Sequence, residues 1–222
     1  MLNKQGKGKI DWTDFSWNPI SGCLYGCPYC YLDRISKFDK TPKFHPERLK
    51  DIEKIKFPSK IFTGSSGDMM GEWIIHEQIE SVIKMMEKHP EHTFQILTKN
   101  PKRYLEFHFP ENVWLGTTID GNIRLHNLSW LRGKENKLFV SFEPLLERLN
   151  PEQYVLSGIN WVIIGGKSGS PIFKPPQEWI NEIISKAREN PALPVFIKNN
   201  AGYPLEVKEF PVEMLKQKEE RL

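Results

Sequence analysis

Cysteine is scarce in this chain, and long apolar runs and a strong charge of either sign are absent. The three cysteines among 222 residues are an odd number, so a disulfide framework is not expected. No apolar stretch approaches the length of about 18 residues that a membrane span needs, so we expect no transmembrane helix and no membrane partner. The net charge of +3 comes from interspersed acids and bases. It is weak evidence for a nucleic-acid partner.

The two ends of the chain are polar and charged. Residues 1–9 are basic and are followed by no apolar run, so we expect no secretory signal. Together with free cysteines, this favours a cytoplasmic protein. We expect a flexible tail over 1–10, one domain over 11–205 and a charged tail over 206–222.

All three cysteines lie in one glycine-containing stretch, residues 22–31, with the spacing C-x3-C-x2-C at Cys23, Cys27 and Cys30. Thiolates are soft ligands, and three in one short loop can face a single metal centre. Three are one short of a closed four-cysteine site, so a four-iron cluster held here would leave one iron open to a small molecule. Two other interpretations stay open: a zinc site completed by His45, and thiols that bind nothing.

Apolar segments of strand and helix type alternate along the chain at intervals of roughly 25–30 residues, the rhythm of a parallel sheet with helical crossovers. Predicted strands cover 60–63, 93–98, 113–119, 137–142, 160–164 and 194–197, after a first strand within 11–20. Predicted helices cover 31–38, 72–89, 122–131 and 178–188, with a short one from 102. The pattern predicts an α/β fold, a partial or full (β/α) barrel with mostly parallel strands.

Polar or glycine-rich residues follow nearly every predicted strand. Those that we single out are Gly64, Asp68, Lys99, Thr117, Thr118, Glu143, Gly165, Gly166 and Lys198. Because the carboxyl ends of parallel strands meet at one edge, we expect these groups around one mouth. Structural roles stay open for each: a helix cap for Asp68, a solvated surface for the lysines, a buried ion pair for Glu143 with Lys198 or Lys167, and a simple turn for the glycines.

The cysteine spacing, with an aromatic residue (Tyr29) just before the last cysteine, resembles the signature of the radical S-adenosylmethionine (SAM) superfamily. The resemblance implies a [4Fe-4S] cluster on Cys23, Cys27 and Cys30, with the amino and carboxylate groups of SAM on the fourth iron. It also implies a fold of the TIM-like radical SAM type. One electron from an external reductant would then cleave SAM to a 5′-deoxyadenosyl radical.

The resemblance extends over roughly residues 10–202 to a phage-associated radical SAM-like family. The motifs that carry it are Asp-Phe-Ser-Trp-Asn-Pro at 14–19, the cysteine loop, the Gly/Ser/Asp loop at 64–68, Leu-Thr-Lys-Asn-Pro at 97–101, Trp-Leu-Gly-Thr-Thr at 114–118, Ser-Phe-Glu-Pro-Leu at 141–145 and Ile-Gly-Gly-Lys-Ser-Gly at 164–169. This chain departs from that family in having Lys167 where an acid is usual, and in a shorter cysteine region.

Each part of SAM needs its own partner, and the strand ends supply candidates for all of them. Gly64 and Asp68 are assigned to the ammonium, and Lys99 or Lys198 to the carboxylate. Thr117, Thr118 or Asp120 are assigned to the ribose. By the resemblance, Tyr29 would stack near adenine. Gly165 and Gly166 would allow close approach of the adenosyl group or substrate, and Glu143 and Lys198 are the candidate catalytic residues.

These observations favour a radical SAM enzyme whose leading substrate class is nucleic acid. Two alternatives remain at this stage. One is a zinc-containing nucleic-acid-binding module that uses lysines and aromatic rings. The other is a barrel that binds the cluster without catalysis.

Overall fold

A single mostly parallel sheet of eight strands forms the frame of the molecule. The computed structural model describes residues 1–6, 8–189 and 193–219. The ten strands are β1 (Leu2–Lys4), β2 (Phe15–Trp17), β3 (Ile20–Ser21), β4 (Lys43–Phe44), β5 (Lys60–Thr63), β6 (Thr93–Thr98), β7 (Val113–Thr118), β8 (Leu138–Phe142), β9 (Trp161–Ile164) and β10 (Val195–Ile197). The sheet order is β1-β2-β5-β6-β7-β8-β9-β10, antiparallel only between β1 and β2, while β3 and β4 form a separate antiparallel pair. The predicted α/β class with mostly parallel strands is confirmed.

The connections contain fewer regular helices than the sequence pattern predicts. The α-helices are α1 (His76–Glu87), α2 (Asn127–Leu131), α3 (Gln177–Arg188) and α4 (Val212–Glu219). Shorter 3-10 helices cover Tyr31–Arg34, Pro46–Lys54, Pro101–Glu106, Asn122–Arg124, Pro151–Gln153 and Asn199–Ala201. α1 and α3 have 12 residues each. None of the described helices combines the length and the apolar character needed to cross a bilayer.

Three predicted helices differ from the structure. The helix expected over 31–38 is only the turn Tyr31–Arg34, and Lys37 has a φ of 60°, a left-handed conformation that ends helical structure. The helix expected over 122–131 is divided between a 3-10 turn and α2. α1 begins at His76 rather than 72, because residues 71–75 are used in turns.

Both faces of the sheet are apolar, but one carries mostly aliphatic side chains and the other mostly aromatic ones. One face packs on the helices with mostly aliphatic side chains, among them Ile61, Ile96, Leu115, Val140 and Val162. The other face carries a separate cluster of Trp12, Phe62, Trp114, Phe139, Trp161, Ile163, Phe196 and Met214. We call the second face the inner face. Burial on both sides explains why these strands are continuous apolar runs without alternation.

The sheet curls around the ring of Trp12. This ring lies 4.7 Å from that of Phe62 on β5 and 6.1 Å from that of Trp161 on β9. In a flat sheet, strands four places apart would be roughly 19 Å from each other. One indole can touch both only if the inner face is concave. The structure is therefore the partial form of the predicted barrel, since β1 and β10 do not pair with each other in the described part of the chain.

Segments near both ends of the described chain pair with the sheet. The tail expected over 1–10 is not free, because Leu2–Lys4 pairs with β2. The tail after 205 also pairs: the Ile197 amide donates to the Val207 carbonyl at 2.8 Å, and the Glu209 amide donates to the Val195 carbonyl at 3.0 Å. The ammonium of Lys208 lies 3.0 Å from the Asp11 carboxylate. The two segments thus pair with strands at opposite edges of the sheet.

Candidate active site

The cysteine loop, residues 22–31, lies against the loop that follows β5. The Gly22 amide donates to the Ser66 carbonyl at 2.9 Å, and the Cys23 amide donates to the Lys40 carbonyl at 2.9 Å. Gly22 has a φ of 84°, and a Cβ there would overlap the carbonyl of Thr41. A glycine is therefore required at this position both by conformation and by close approach.

Three tyrosines of the cysteine loop attach it to three different parts of the strand-end edge. The ring of Tyr25 meets Trp73 edge-on at 4.9 Å between centroids. The Tyr31 hydroxyl donates to the Ser65 carbonyl. The Tyr29 hydroxyl donates to the Asp120 carboxylate and accepts from the Lys99 ammonium at 2.8 Å. The loop is thereby fixed to the segments after β5, β6 and β7.

Asp120 is the centre of a charge cluster beneath the cysteine loop. Its carboxylate lies 2.9 Å from the Lys99 ammonium and 2.8 Å from Nε of Arg124. The side chains of Lys99 and Asp120 are only 12% and 11% exposed. Burial lowers the pKa of Lys99 to about 8 and raises the pKa of Asp120, since a shielded charge loses hydration. Asp120 thus neutralises two cations that would otherwise repel each other.

The three thiols are free and partly exposed, and they are not arranged for a single ion. A tetrahedral zinc site would hold its sulfurs about 3.8 Å apart. Among the described residues, no set of three donors close enough for one ion includes a cysteine. Burial raises the pKa of Cys23 to about 11 and also raises the pKa of Cys27. An added Cβ on Gly26 would meet nothing within 4 Å, so space is open beside the loop.

His45, the histidine that could have completed a zinc site, has other partners. It is buried, its Nε2 lies 2.8 Å from the Ser21 hydroxyl, and its Nδ1 lies 3.3 Å from the Glu47 carboxylate. These contacts hold the β3–β4 pair. They give His45 a structural position at the base of the cysteine loop.

Asp68 is buried, and three groups of the protein already donate to its carboxylate. The donors are the Met70 amide at 3.0 Å, the Thr98 hydroxyl at 2.7 Å and the Lys99 amide at 2.9 Å. Burial raises its pKa. The cap expected for the helix near 72 is absent, since α1 begins at His76 without a side-chain cap. Asp68 instead forms an Asx-type turn and joins the β5 and β6 loops.

Thr117 and Thr118 point to opposite faces of β7, because successive side chains of a strand alternate. The Thr117 hydroxyl donates to the Thr98 carbonyl at 3.0 Å on the helix side and is fully buried. Thr118 lies on the inner face and is 8% exposed. The two cannot both reach a ligand in the mouth, and this geometry favours Thr118.

Glu143 and Lys198 form an ion pair across the ends of β8 and β10, as one of the two open interpretations expected. Their side chains are 22% and 18% exposed. The amide of Asn200 joins them, donating to the Glu143 carboxylate at 3.4 Å and to the Gly166 carbonyl at 2.8 Å. The pair is on the inner face. Glu143 is two residues beyond Ser141 of β8 and Lys198 is two residues beyond Phe196 of β10, and residues two apart along a strand direction share a face.

The glycines after β9 are positions of close contact. A Cβ on Gly165 would lie 2.7 Å from Cδ of Glu143, and one on Gly166 would lie 2.6 Å from the Asn200 carbonyl oxygen. A Cβ on Gly169 would overlap the guanidinium of Arg34, which extends from the segment after the cysteine loop. The two sides of the mouth therefore touch through Arg34. Gly64, with a φ of 90°, makes the tight turn at the end of β5.

The structure therefore brings most of the predicted strand-end residues to one edge, although Thr117 lies on the other face. Sequence reasoning missed Arg124 and Asn200. The signals were present: Arg124 is four residues after Asp120, and Asn200 is two residues after Lys198. Neither could be selected without knowing which strand ends are neighbours.

Comparisons with solved structures identify the fold. Spore photoproduct lyase complexed with dinucleoside spore photoproduct is similar with a TM-score of 0.64 and 11% identity, over 87% of this chain and 79% of that one. A variant of the same lyase with bound AdoMet and dinucleoside spore photoproduct gives 0.62 and 12%, over 86% and 78%. At such identity the likeness is one of fold alone. No curated protein matches this sequence.

A family model covers nearly the whole chain. It matches residues 7–220, which include the cysteine loop, every strand from β2 to β10 and the candidate mouth. The chain belongs to the family described as "Protein of unknown function (DUF5131)".

Proposed function

We propose that this protein is a radical SAM enzyme that holds a [4Fe-4S] cluster on Cys23, Cys27 and Cys30. The observation that carries the proposal is the position of the three thiols, which share one loop at the carboxyl edge of a radical SAM fold and are too widely spaced for one ion. The donor set fits a cluster, because each thiolate then binds a different iron at a separate corner. The space beside Gly26 adds to that fit.

Cluster and SAM together would supply the chemistry, reductive cleavage of SAM to a 5′-deoxyadenosyl radical by an electron from an external donor. The part of the chain is to position both groups. The backbone of 64–67 is the candidate contact of the SAM ammonium, and the AdoMet-bound structure of like fold supports this class of ligand. Thr118 is the candidate contact for the ribose on the inner face. Lys99 and Asp68 are engaged within the protein, which favours structural roles beside the ligand.

Tyr29 remains the candidate for stacking near adenine, but its ring orientation is fixed by the protein. Because its hydroxyl is held by Asp120 and Lys99, the ring has one orientation, and only a ring face is left for stacking. Glu143 and Lys198 remain the candidate catalytic residues. They are the partly exposed acid and base of the inner face, and a proton can pass between the pair and a substrate group.

The proposed substrate class is nucleic acid. Structures of like fold hold dinucleoside spore photoproduct, and the rim of this mouth carries the partly exposed cation Lys167 and the exposed cation Arg34. Two positive side chains at the entrance suit a phosphodiester. If the substrate proves to contain no phosphate, the proposed substrate class is wrong, while the proposed radical SAM activity is unaffected.

The test is anaerobic reconstitution with iron and sulfide, followed by iron analysis and a 5′-deoxyadenosine assay with SAM and dithionite. We expect a brown protein that bleaches on reduction, and release of 5′-deoxyadenosine. Replacing any one of Cys23, Cys27 and Cys30 with Ala should abolish both colour and product. Glu143→Gln is the matched control for iron binding, because it changes the mouth without replacing a cysteine, and it should retain the iron.

Each alternative gives a different result. A zinc-containing binding module would be colourless and would release no nucleoside. A cluster-binding barrel without catalysis would be brown and would release no 5′-deoxyadenosine. Either outcome would overturn the proposed activity.

A further inference from the structure

Three metal-binding side chains converge at the opposite edge of the sheet, where α1 ends and β6 begins. We propose that His89, Glu91 and His92 form a second site, for a divalent transition-metal ion, with zinc as the best match. Nδ1 of His89 lies 3.0 Å from Oε1 of Glu91, and Nε2 of His92 lies 3.6 Å from the same oxygen. All three donor atoms lie within 4.8 Å of one another.

Two of the three donor separations are compatible with a zinc site. With bonds of about 2.0–2.1 Å, neighbouring nitrogen and oxygen ligands of a tetrahedral ion lie about 3.3–3.4 Å apart. The two measured contacts, at 3.0 and 3.6 Å, bracket that value. Two imidazoles and one carboxylate are a donor set that suits zinc. Since Glu91 is 45% exposed and His89 is 18% exposed, a fourth position is open to water.

The backbone that carries the donors is held in place independently of any ion. The His92 amide donates to the His89 carbonyl at 3.1 Å across the turn. The side-chain amide of Asn112, the residue before β7, donates to the carbonyls of Met86, His89 and His92 at 3.0–3.1 Å. Binding would therefore order little more than the Glu91 side chain, so little conformational entropy opposes it.

The location assigns the ion a structural role. Residues at the amino ends of parallel strands contribute to stability, whereas the chemistry of such folds lies at the carboxyl ends. An ion here would join the end of α1 to the start of β6, and it needs no cysteine. The site is thus independent of the proposed enzymatic activity.

Cobalt provides a readout that separates this site from the cysteine loop. In a titration of the full-length protein without a histidine tag, Co²⁺ on thiolates gives a near-ultraviolet sulfur-to-metal charge-transfer band. Co²⁺ on nitrogen and oxygen donors gives only visible d–d bands. We expect one equivalent of the second type, displaced by Zn²⁺. It should be lost in His89→Ala and retained in the control His108→Ala, which changes an exposed histidine outside the cluster.

Glu91→Gln keeps the size and a hydrogen-bonding oxygen, so it should fold normally. We expect it to weaken binding by more than the roughly 10–100-fold that loss of an outer-shell partner costs. Zn²⁺ should raise the Tm of the native chain and of His108→Ala, but not that of His89→Ala, because binding stabilises only the state that contains the site. If all bound cobalt shows the thiolate band, or if His89→Ala binds as much metal as the control, the proposal is wrong.

Discussion

The two halves of the candidate mouth satisfy their polar groups in different ways. In the half after β5, β6 and β7, which we call the closed half, Asp68, Lys99 and Asp120 each have two or more protein partners. In the half after β8, β9 and β10, the open half, Glu143 and Lys198 pair mainly with each other. Side chains of the central ion pair are 12% and 11% exposed in the closed half, but 18% and 22% exposed in the open half.

This difference indicates a division of labour. A cofactor loop has to be held in one geometry, and the closed half holds it through Tyr29 and Asp120. A substrate has to enter and exchange partners, and the open half keeps a pair that a ligand can separate without leaving a deeply buried charge. The four predictions below test that division, from the largest expected effect to the smallest.

Asp120→Ala should be the most damaging change in the mouth. It leaves Lys99 and Arg124 close together without the carboxylate that both contact, at a cost of about 3 kcal/mol for breaking a largely buried pair. Urea unfolding measures this loss, and reconstituted iron should fall with it. Glu182→Ala, which removes the partly exposed partner of the exposed Arg148 away from the mouth, should be nearly neutral. Equal effects of the two changes would remove the distinction between the halves.

Gly165→Ala should disturb the open half alone. The new Cβ would lie 2.7 Å from Cδ of Glu143, so the end of that flexible side chain has to move, at the low end of the about 1–3 kcal/mol of overpacking. We expect bound iron to be unchanged and product formation to fall. The double variant Gly165→Ala/Glu143→Ala should recover stability, because the clash is gone. A loss of iron in Gly165→Ala would contradict the proposed separation.

Tyr29→Phe should weaken the closed half, with a smaller loss of stability than Asp120→Ala. It keeps the ring but removes the hydroxyl shared by Asp120 and Lys99, a loss of about 1 kcal/mol for one hydrogen-bonded group. Limited proteolysis of the cluster-free protein should cut the cysteine loop faster. Tyr31→Phe, whose hydroxyl reaches one carbonyl from an exposed ring, should change the cleavage rate less.

The rate of alkylation of Cys23 in the cluster-free protein should depend steeply on pH. Burial raises its pKa to about 11, and only the thiolate reacts, so the rate should rise about tenfold per pH unit from pH 7 towards that value. Iodoacetamide labelling with peptide mass spectrometry measures the rate. A plateau below pH 9 would show that the loop is more open than the packing of Tyr25 and Tyr29 implies.

The strands and the mouth could be predicted from the sequence to different degrees. β5 and β6 have the predicted bounds, because buried apolar runs between polar loops leave little freedom in placing a strand. Which threonine of Thr117 and Thr118 faces the mouth could not be predicted, because both faces of β7 are apolar. The contact of Tyr29 with Asp120 joins positions 91 apart in the chain, which no local pattern encodes.

The short helices were the weakest part of the sequence-based prediction. Residues 31–38 have helical composition in part, yet Arg34 is used to reach Gly169, and the chain turns at Lys37. The structural alternative for Asp68 was a helix cap, and the Asx turn that it forms could not be told apart from a cap in the sequence, since both use an acid just before a helix. Tertiary contacts decided these segments, while the alternation of strand and helix decided the sheet.

The pairing of residues 207–209 with β10 has a practical result for anyone shortening this chain. A fragment that stopped at 205 would strip an outer neighbour from the last strand, leave its amides and carbonyls facing water, and release Asp11 from Lys208. An unpaired edge strand of this kind can pair with a strand of another molecule and so promote aggregation. Trimming for crystallisation should therefore start beyond Met214, whose side chain still belongs to the interior.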